Sequence, residues 1–372
     1  MSKPYVIIGG GILGASTAFY LTQQGAEVIL IDRQDKGQAT DAAAGIICPW
    51  ISQRRNKKWY HLAKNGARIY PSLVTELEKL GQLDTGYKQV GALSLHTDAS
   101  KLDGMEERAY KRREDAPEIG GIIRLSAEET QQRFPMLDKD YQAVFISGAA
   151  RVDGRKLLQS LKNAAKANGA VLLSGDAALH VNGDTVTGIT CNNEVIEAEK
   201  VILANGAWMK ETAAALDVPL DVSFQRAQIM HLEMPGLETA DWPVVMPPGT
   251  KYILTQDDHR FVIGSTHEDR TNFDYRVTAA ASHEILHQGL AIAPDLAEAT
   301  VLETRVGFRP YTPGFLPIIG ELPGYANVLL ANGLGSSGLT MGPFLGQQLA
   351  KLALHDKLDI QLEHYDVLSA IK

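Results

Sequence analysis

Residues 6–14 read VIIGGGILG, a short apolar run that passes directly into a cluster of glycines. The apolar run predicts a buried strand over residues 5–8, and the spacing that follows predicts a helix through Leu21. A second apolar run covers residues 27–31 and ends at Asp32. These segments together predict a strand, helix, strand unit with a glycine-rich turn after its first strand.

This unit carries the pattern of a dinucleotide-binding fold. The G-x-G-x-x-G pattern of residues 9–14 follows the predicted strand and opens the predicted helix, which lets backbone N–H groups approach a pyrophosphate. Asp32, at the end of the second strand, is placed to accept hydrogen bonds from a ribose. The pattern alone does not separate NAD from FAD. The candidate cofactor-binding residues of this unit are Gly9, Gly11, Ile12, Leu13, Gly14, Asp32 and Arg33.

Three further segments favour FAD. Residues 40–47 form a small-residue loop that lets a large planar ring lie against backbone, and residues 201–208 repeat the passage from a strand into a glycine turn. Residues 332–340 precede a helix predicted from about Pro343 to Leu354, whose N–H groups suit negative charge on a flavin. The candidate residues here are Ala43, Ala44, Gly45, Ile46, Ala204, Asn205, Gly206, Trp208, Gly335, Ser336, Ser337, Gly338, Leu339 and Thr340.

Composition excludes several classes of protein. The chain has 372 residues, enough for two or three domains, and its net charge of −8 opposes binding to a phosphate backbone, so no nucleic-acid partner is expected. Two distant cysteines, Cys48 and Cys191, indicate neither a disulfide framework nor a zinc site. The N-terminus shows no signal-peptide pattern and no apolar stretch is long enough for a transmembrane segment. We therefore expect a cytoplasmic protein, with peripheral membrane contact left open.

The order of predicted elements indicates two interleaved domains. The alternation of strands and helices that is typical of the first domain is found again after a charged segment of mixed pattern. An α+β domain is therefore predicted to be inserted between parts of an α/β domain. The expected cofactor domain comprises residues 1–82, 145–220 and 320–372. The expected substrate domain comprises residues 83–144 and 221–319.

Taken in order, these motifs resemble the D-amino-acid oxidase-like flavoproteins, which include glycine oxidase, D-amino-acid dehydrogenase and sarcosine oxidase. The resemblance covers nearly the whole chain and rests on residues 6–14, 43–45, 203–208, 306–313, 317–320 and the glycine-rich loop before the last helix. It implies a Rossmann domain of the glutathione-reductase type that binds FAD. It also implies a substrate domain with a large antiparallel or mixed sheet over the flavin.

The resemblance also implies site residues. Arg309, in a Phe-Arg-Pro turn, matches the arginine that pairs with the substrate carboxylate, and Tyr252 matches a tyrosine that hydrogen-bonds the same group. A guanidinium suits this task because its planar fork binds a carboxylate bidentately. Arg305, nearby, is expected to be structural. Asp41 stands where covalently flavinylated relatives carry a histidine, and the C-terminal part has no cysteine, so FAD is expected to be non-covalent.

Some features depart from the family pattern or stay open. Ser336 and Ser337 stand where glycine oxidases carry a second arginine, so a different substrate pocket is expected. The basic run at residues 53–60 is interpreted as a solvated loop entering a helix, against the alternative of a site for an anionic substrate or RNA. His267 is interpreted as an incidental polar residue, against a place at the pocket mouth.

The expected function is FAD-dependent oxidative deamination of a small, D-configured amino acid. A hydride would pass from Cα to flavin N5, and the imine would hydrolyse to a 2-oxo acid and ammonia. One alternative is oxidation of an N-substituted glycine, such as sarcosine or a carboxymethylated amine; another is a non-catalytic flavin-binding protein. The sequence leaves open the exact substrate, oxygen or a quinone-type carrier as electron acceptor, and assembly into a homo-oligomer.

Overall fold

The computed structural model describes residues 3–269 and 272–372. Met1 and Ser2, part of the stretch considered for a signal peptide, lie outside these ranges. The α-helices are α1 (Ile12–Gln23), α2 (Lys57–Lys79), α3 (Ala99–Arg113), α4 (Ala127–Arg133), α5 (Gly154–Ala167), α6 (Met209–Ala214), α7 (Ala279–Ile292) and α8 (Gly338–Ala353). The first ten strands are β1 (Tyr5–Ile8), β2 (Val28–Asp32), β3 (Ile46–Ile47), β4 (Ala92–His96), β5 (Ile122–Leu125), β6 (Gln142–Ile146), β7 (Ala150–Arg151), β8 (Val171–Ser174), β9 (Ala178–Asn182) and β10 (Thr185–Cys191). The others are β11 (Glu194–Glu197), β12 (Lys200–Leu203), β13 (Ser223–Glu233), β14 (Val244–Met246), β15 (Tyr252–Thr255), β16 (Arg260–Gly264), β17 (Glu268–Asp269), β18 (Thr300–Tyr311), β19 (Ile318–Glu321) and β20 (Val328–Asn332).

A six-stranded sheet gathers strands from distant parts of the chain in the order β19, β20, β12, β1, β2, β8. All neighbours are parallel except β19 and β20. The central strand β1 is buried on both faces, with Ile7 in one apolar core and Val6 and Ile8 in another, which explains why its sequence is a continuous apolar run without alternation. The strand, helix, strand unit predicted from residues 5–32 is confirmed.

Helices α1, α5 and α8 pack against this sheet, and α2 packs on α8 and α5. Helix α1 is buried along nearly its whole length, and it approaches α8 closely because α8 presents glycines to it. A Cβ atom added to Gly346 would lie 2.6 Å from the Cβ of Ser16. This close packing fixes the start of α8 beside the glycine-rich turn before α1.

The second large sheet has nine strands and joins β13 and β18 to β16, β15, β14, β4, β6 and β5, with β17 beside β13. Its pairings are antiparallel except for β14 with β4. One face carries apolar residues that pack against α4 and α7, including Met230 and Phe261. Because side chains alternate along a strand, the opposite face presents Tyr252, Gly307 and Arg309.

The fold class implied by the resemblance, a Rossmann-type α/β part plus a part built on a large mixed sheet, is confirmed. A small sheet of β11, β10 and β9 contains a hairpin that turns at Asn192 and Asn193, both with positive φ. The exact domain boundaries remain a prediction, and two of them, 145 and 320, fall inside β6 and β19. In the described part of the chain, no helix combines the length and apolar character needed to cross a membrane.

Two local predictions are wrong. The last helix begins at Gly338 and not near Pro343, so Gly338, Leu339 and Thr340 belong to its first turn. The helix continues through the proline because the Leu339 carbonyl, which Pro343 cannot pair with, accepts a hydrogen bond of 2.5 Å from the hydroxyl of Tyr70. Arg309 lies within the long strand β18 and not in a turn, since β18 stays paired with β13 as far as Tyr311.

Candidate active site

A cavity of about 530 Å³ lies between the two large sheets. One end meets the carboxyl ends of the parallel strands β1, β2, β12 and β20, and the other meets the inner face of the nine-stranded sheet. The carboxyl edge of a parallel sheet is the usual position for a bound nucleotide. The cavity therefore connects the edge of the parallel sheet at which nucleotides usually bind to the side chains on the inner face of the nine-stranded sheet.

The glycine-rich turn forms the first wall and leaves no room for side chains at Gly9 and Gly14. Gly9 has φ +104°, and a Cβ there would lie 2.6 Å from the backbone of Ala204. A Cβ on Gly14 would lie 1.9 Å from the carbonyl oxygen of Gly9. The N–H of Ile12 donates to the hydroxyl of Thr40 at 3.0 Å, which ties the helix start to the small-residue loop.

Asp32 lies beside this turn with its carboxylate held in place. Its Oδ1 accepts hydrogen bonds from the N–H of Gln34 at 3.1 Å and from the side-chain amide of Gln38 at 3.0 Å. The Nζ of Lys162 is 3.3 Å from Oδ2. Gly10, which the sequence analysis did not select, leaves the space that the carboxylate fills, because a Cβ there would lie 2.6 Å from Oδ2.

The small-residue loop at residues 40–46 forms the second wall. Gly45 has φ +93°, and a Cβ there would lie 1.8 Å from the carbonyl oxygen of Val152. Arg155 clamps the loop through two hydrogen bonds to the carboxylate of Asp41, at 2.5 and 3.0 Å. Arg305 binds the Asp41 carbonyl at 3.2 Å and pairs with Glu303 at 2.5 Å. These contacts agree with the structural role expected for Arg305.

The start of α8 closes the cavity on a third side. Residues 335–337 form one 3₁₀ turn that leads into the helix at Gly338, and the hydroxyl of Thr340 donates to the carbonyl of Ile46 at 3.1 Å. That hydrogen bond joins the helix start to the second wall. The turn therefore lies at the cavity with its position set by both α1 and the small-residue loop.

Arg309, Tyr252 and Ser265 form a polar cluster on the sheet wall. The Nη2 of Arg309 donates to the Oγ of Ser265 at 2.8 Å, and its Nη1 is buried without a hydrogen-bond partner among the described residues. Burial lowers the pKa of Arg309, and nearby Tyr252 opposes that effect. Burial raises the pKa of Tyr252, against the opposing effects of Arg309 and a hydrogen bond with Ser265. The cluster presents a cation with an unused donor and a neutral phenol to the cavity.

A histidine lies in the cavity beside this cluster. His267 lines the cavity, and its pKa is lowered by partial burial and by the positive charges of Arg309 and Lys251, which favours the neutral imidazole. Lys251 donates to the carbonyl of Ser265 at 2.8 Å and pairs with Glu284 at 2.5 Å. This pair anchors the backbone that carries the Ser265 hydroxyl.

The structure brings the predicted residues together on one surface. Every candidate residue named from the sequence lines the cavity except Gly14, which lies behind the turn where α1 meets the Gly9 carbonyl. Ser265, which the sequence does not mark, also lines it, as do Thr40 and Trp59, which belong to segments singled out from the sequence but were not candidate site residues. The glycine turn, in which Gly9 and Gly14 are too close to backbone for a Cβ, suits the pyrophosphate of FAD, and the cavity reaches from this turn to the sheet wall that carries Arg309.

Comparisons with known proteins agree with this geometry. The family model described as "FAD dependent oxidoreductase" (DAO) matches residues 4–352. An uncharacterized oxidoreductase of Bacillus subtilis, YurR, is 57% identical over 370 residues, which cover 99% of this chain and 100% of that protein. The structure of iminodiacetate oxidase (IdaA) from Chelativorans sp. BNC1 is similar with a TM-score of 0.94 and 44% identity, covering 97% of this chain and 98% of that one. Glycine oxidase from Geobacillus kaustophilus is similar with a TM-score of 0.85 and 25% identity, covering 98% and 99%.

Proposed function

This chain belongs to the DAO family of FAD-dependent oxidoreductases, as the sequence resemblance predicted, and from that premise we propose that it oxidises an N-substituted glycine. The family identity makes it a flavoenzyme that acts on an amine-carbon donor. The choice of an N-substituted glycine is supported by the 44% identity to iminodiacetate oxidase, against 25% for glycine oxidase. Oxidation of an N-substituted glycine is the alternative that the sequence leaves open beside deamination of a primary amino acid.

The observation that carries the proposal is the free donor of Arg309. A buried guanidinium nitrogen without a partner in the described chain, beside the hydroxyl of Tyr252, is what a carboxylate ligand would satisfy. Ser265 fixes one side of the guanidinium, so the other side keeps its orientation toward the cavity. Arg309 and Tyr252 would thus bind and orient the glycine carboxylate, which sets the position of the adjacent CH₂–NH group.

The net reaction is balanced by one water molecule and one two-electron acceptor. The CH₂–NH bond of the substrate loses two electrons and two protons to become an imine, and water then cleaves the C=N bond to give glyoxylate and the free amine. FAD, when bound, supplies the acceptor for the two electrons. The chain's own residues bind the carboxylate and exclude water from the guanidinium, which strengthens its hold on the anion.

We further propose that FAD is bound non-covalently by the three walls of the cavity. The glycine turn and Asp32 would hold the pyrophosphate and ribose, and the small-residue loop and the start of α8 would hold the ring system. Arg33, paired with Asp35 and Glu211, would line the nucleotide end as a neutralised group.

Replacing Asp32 by alanine should weaken FAD binding. A ribose hydroxyl bonded to a charged acceptor contributes about 1.5 kcal/mol, so the Kd for FAD should rise roughly 10-fold while the fold is retained. Fluorescence titration of the apoprotein with FAD measures this, with circular dichroism as the check on folding. An unchanged Kd would remove Asp32 from the cofactor site.

A second candidate is deamination of a small primary amino acid, of glycine or the D series. It is supported by the fold similarity to glycine oxidase and by the same carboxylate-binding cluster. The two candidates differ in what the nitrogen carries, so a matched set of substrates separates them.

An anaerobic flavin-reduction assay tests the proposal. We expect iminodiacetate and sarcosine to bleach the visible flavin band faster than glycine or D-alanine, with glyoxylate formed in equal amount to the flavin reduced. Faster reduction by D-alanine or glycine would favour the second candidate. Absence of reduction by all four would contradict both.

A further inference from the structure

Arg54 belongs to the basic run whose role the sequence left between a solvated loop and an anion site. Ser52 and Trp59, on either side of it, both line the cavity. The guanidinium of Arg54 lies over the indole of Trp59, with Cζ 4.9 Å from the ring centroid. Arg54 itself does not line the cavity; its cation lies against Trp59, one side chain away from it.

The Arg54 cation has no carboxylate partner in the part of the chain that the structure describes. Its Nη2 donates to the carbonyl of Phe315, and among the described residues the guanidinium otherwise lies against the aromatic face of Trp59. Burial lowers its pKa, with no acidic neighbour to oppose the effect. By contrast, Arg33 at the opposite end of the cavity is paired with Asp35 and Glu211. A guanidinium in this state can accept an anionic ligand.

The segment that carries Arg54 is held in place before any ligand binds. Arg112 donates from Nη1 to the carbonyls of Trp50 and Ser52, at 2.5 and 2.7 Å. The side chain of Asn56 accepts the N–H of Trp59 at 3.0 Å and caps α2. These contacts fix both ends of the loop, so little ordering cost would oppose binding of a ligand to Arg54.

We propose that Arg54 binds a second carboxylate of the substrate, carried on the substituent of the amine nitrogen, so that the substrate class is an imino-dicarboxylate. This rests on the proposed function, in which Arg309 binds the glycine carboxylate. A substrate with one negative charge at each end would then meet a cation at each side of the cavity, and the secondary amine between them would be oriented from both ends. Arg54 is in this view a specificity-determining residue.

Substrate discrimination tests the role of Arg54 in turnover. Iminodiacetate and sarcosine share the glycine half and differ only in the second carboxylate. For Arg54→Leu, the ratio of kcat/KM for iminodiacetate to kcat/KM for sarcosine should fall about 10- to 100-fold. This is the loss expected when one charge-assisted hydrogen bond is removed. Arg54→Lys should recover part of the ratio, because it keeps the charge but not the fork. Arg55→Leu, at the exposed neighbouring residue, is the matched control and should leave the ratio unchanged.

An unchanged ratio in Arg54→Leu would overturn the proposal, and so would an equal loss in Arg55→Leu. The FAD content and melting temperature of each variant are measured alongside. Because both substrates pass through the same fold and the same Arg309 cluster, a general structural defect would lower both kcat/KM values and leave their ratio intact.

A binding experiment separates failure of this inference from failure of the proposed function. Thiodiacetate has two carboxylates but sulfur in place of NH, so it cannot form the imine; (methylthio)acetate lacks the second carboxylate. In the FAD-loaded enzyme, the shift of the flavin absorbance on titration gives the Kd of each ligand. The Kd of thiodiacetate should be at least about 10-fold lower than that of (methylthio)acetate, and Arg54→Leu should abolish this difference. Equal binding, or no binding of thiodiacetate, overturns the inference. Discrimination between the two ligands without reduction by any amine would support Arg54 and contradict only the proposed reaction.

Discussion

Arg309→Leu should lower kcat/KM for the amine substrate by about two to three and a half orders of magnitude while FAD remains bound. A carboxylate that enters the cavity loses water and must find a cation there, and loss of one partner of such a desolvated pair costs ~3–5 kcal/mol. The structure adds the reason for the size of the effect. Nη1 of Arg309 has no other partner among the described residues, and Ser265 holds the guanidinium through a hydrogen bond from Nη2.

The size of the effect should rank three substitutions at the cluster. Arg309→Lys should recover only part of the loss, since a point charge cannot bind a carboxylate bidentately. Tyr252→Phe should cost less, about 1.5–3 kcal/mol, because it removes one hydrogen bond to a charged acceptor. Steady-state kinetics measures these values, and Arg113→Leu, at an exposed arginine on α3, is the control that should change nothing.

Near-normal kcat/KM in Arg309→Leu with full FAD content would show that the carboxylate is bound elsewhere. Arg305, the arginine nearest to Arg309 in sequence, would be a poor replacement. The Arg305 guanidinium already donates hydrogen bonds to Glu303 and to the carbonyl of Asp41, so it has few donors left for a ligand. Arg54 would be the next guanidinium to test.

The nucleotide half of the site could be predicted from sequence because its determinants are local. A buried parallel strand, a glycine turn and a helix follow one another within residues 5–23. One continuous stretch of sequence therefore forms the backbone that approaches a pyrophosphate. Asp32 is also close in sequence, one strand away. Gly10 was missed because its role, leaving space for the Asp32 carboxylate, depends on a contact and not on a pattern.

The substrate half depends on long-range pairing, which the sequence does not display. Ser265 meets Arg309 only because β16 and β18 lie on either side of β13, and nothing about a lone serine after a strand indicates this. Tyr252 and Arg309 were named through family resemblance, and their shared face follows from strand register. The start of α8 was misplaced for the same reason, since the hydroxyl that satisfies the Leu339 carbonyl comes from Tyr70, far away in the chain.

Gly14→Ala should weaken FAD binding by about 100-fold, although Gly14 does not line the cavity. The added methyl group would lie 1.9 Å from the carbonyl oxygen of Gly9, so the turn or the helix must move by more than an ångström. Overpacking of this kind typically costs 1–3 kcal/mol. Here the strain falls on the backbone whose N–H groups must point at the pyrophosphate, so cofactor affinity should suffer more than overall stability.

The matched control for this substitution is Gly104→Ala in α3. Gly104 has open space where a Cβ would lie and helical surroundings, so alanine there should stabilise the fold by about 0.5–1 kcal/mol and leave FAD affinity unchanged. Titration of each apoprotein with FAD gives the Kd, and thermal unfolding of the apoproteins gives stability without the cofactor. If Gly14→Ala bound FAD as tightly as the parent chain, the turn would have to tolerate the displaced Gly9 carbonyl. The close contact between α1 and β1 would then not be what shapes the pyrophosphate site.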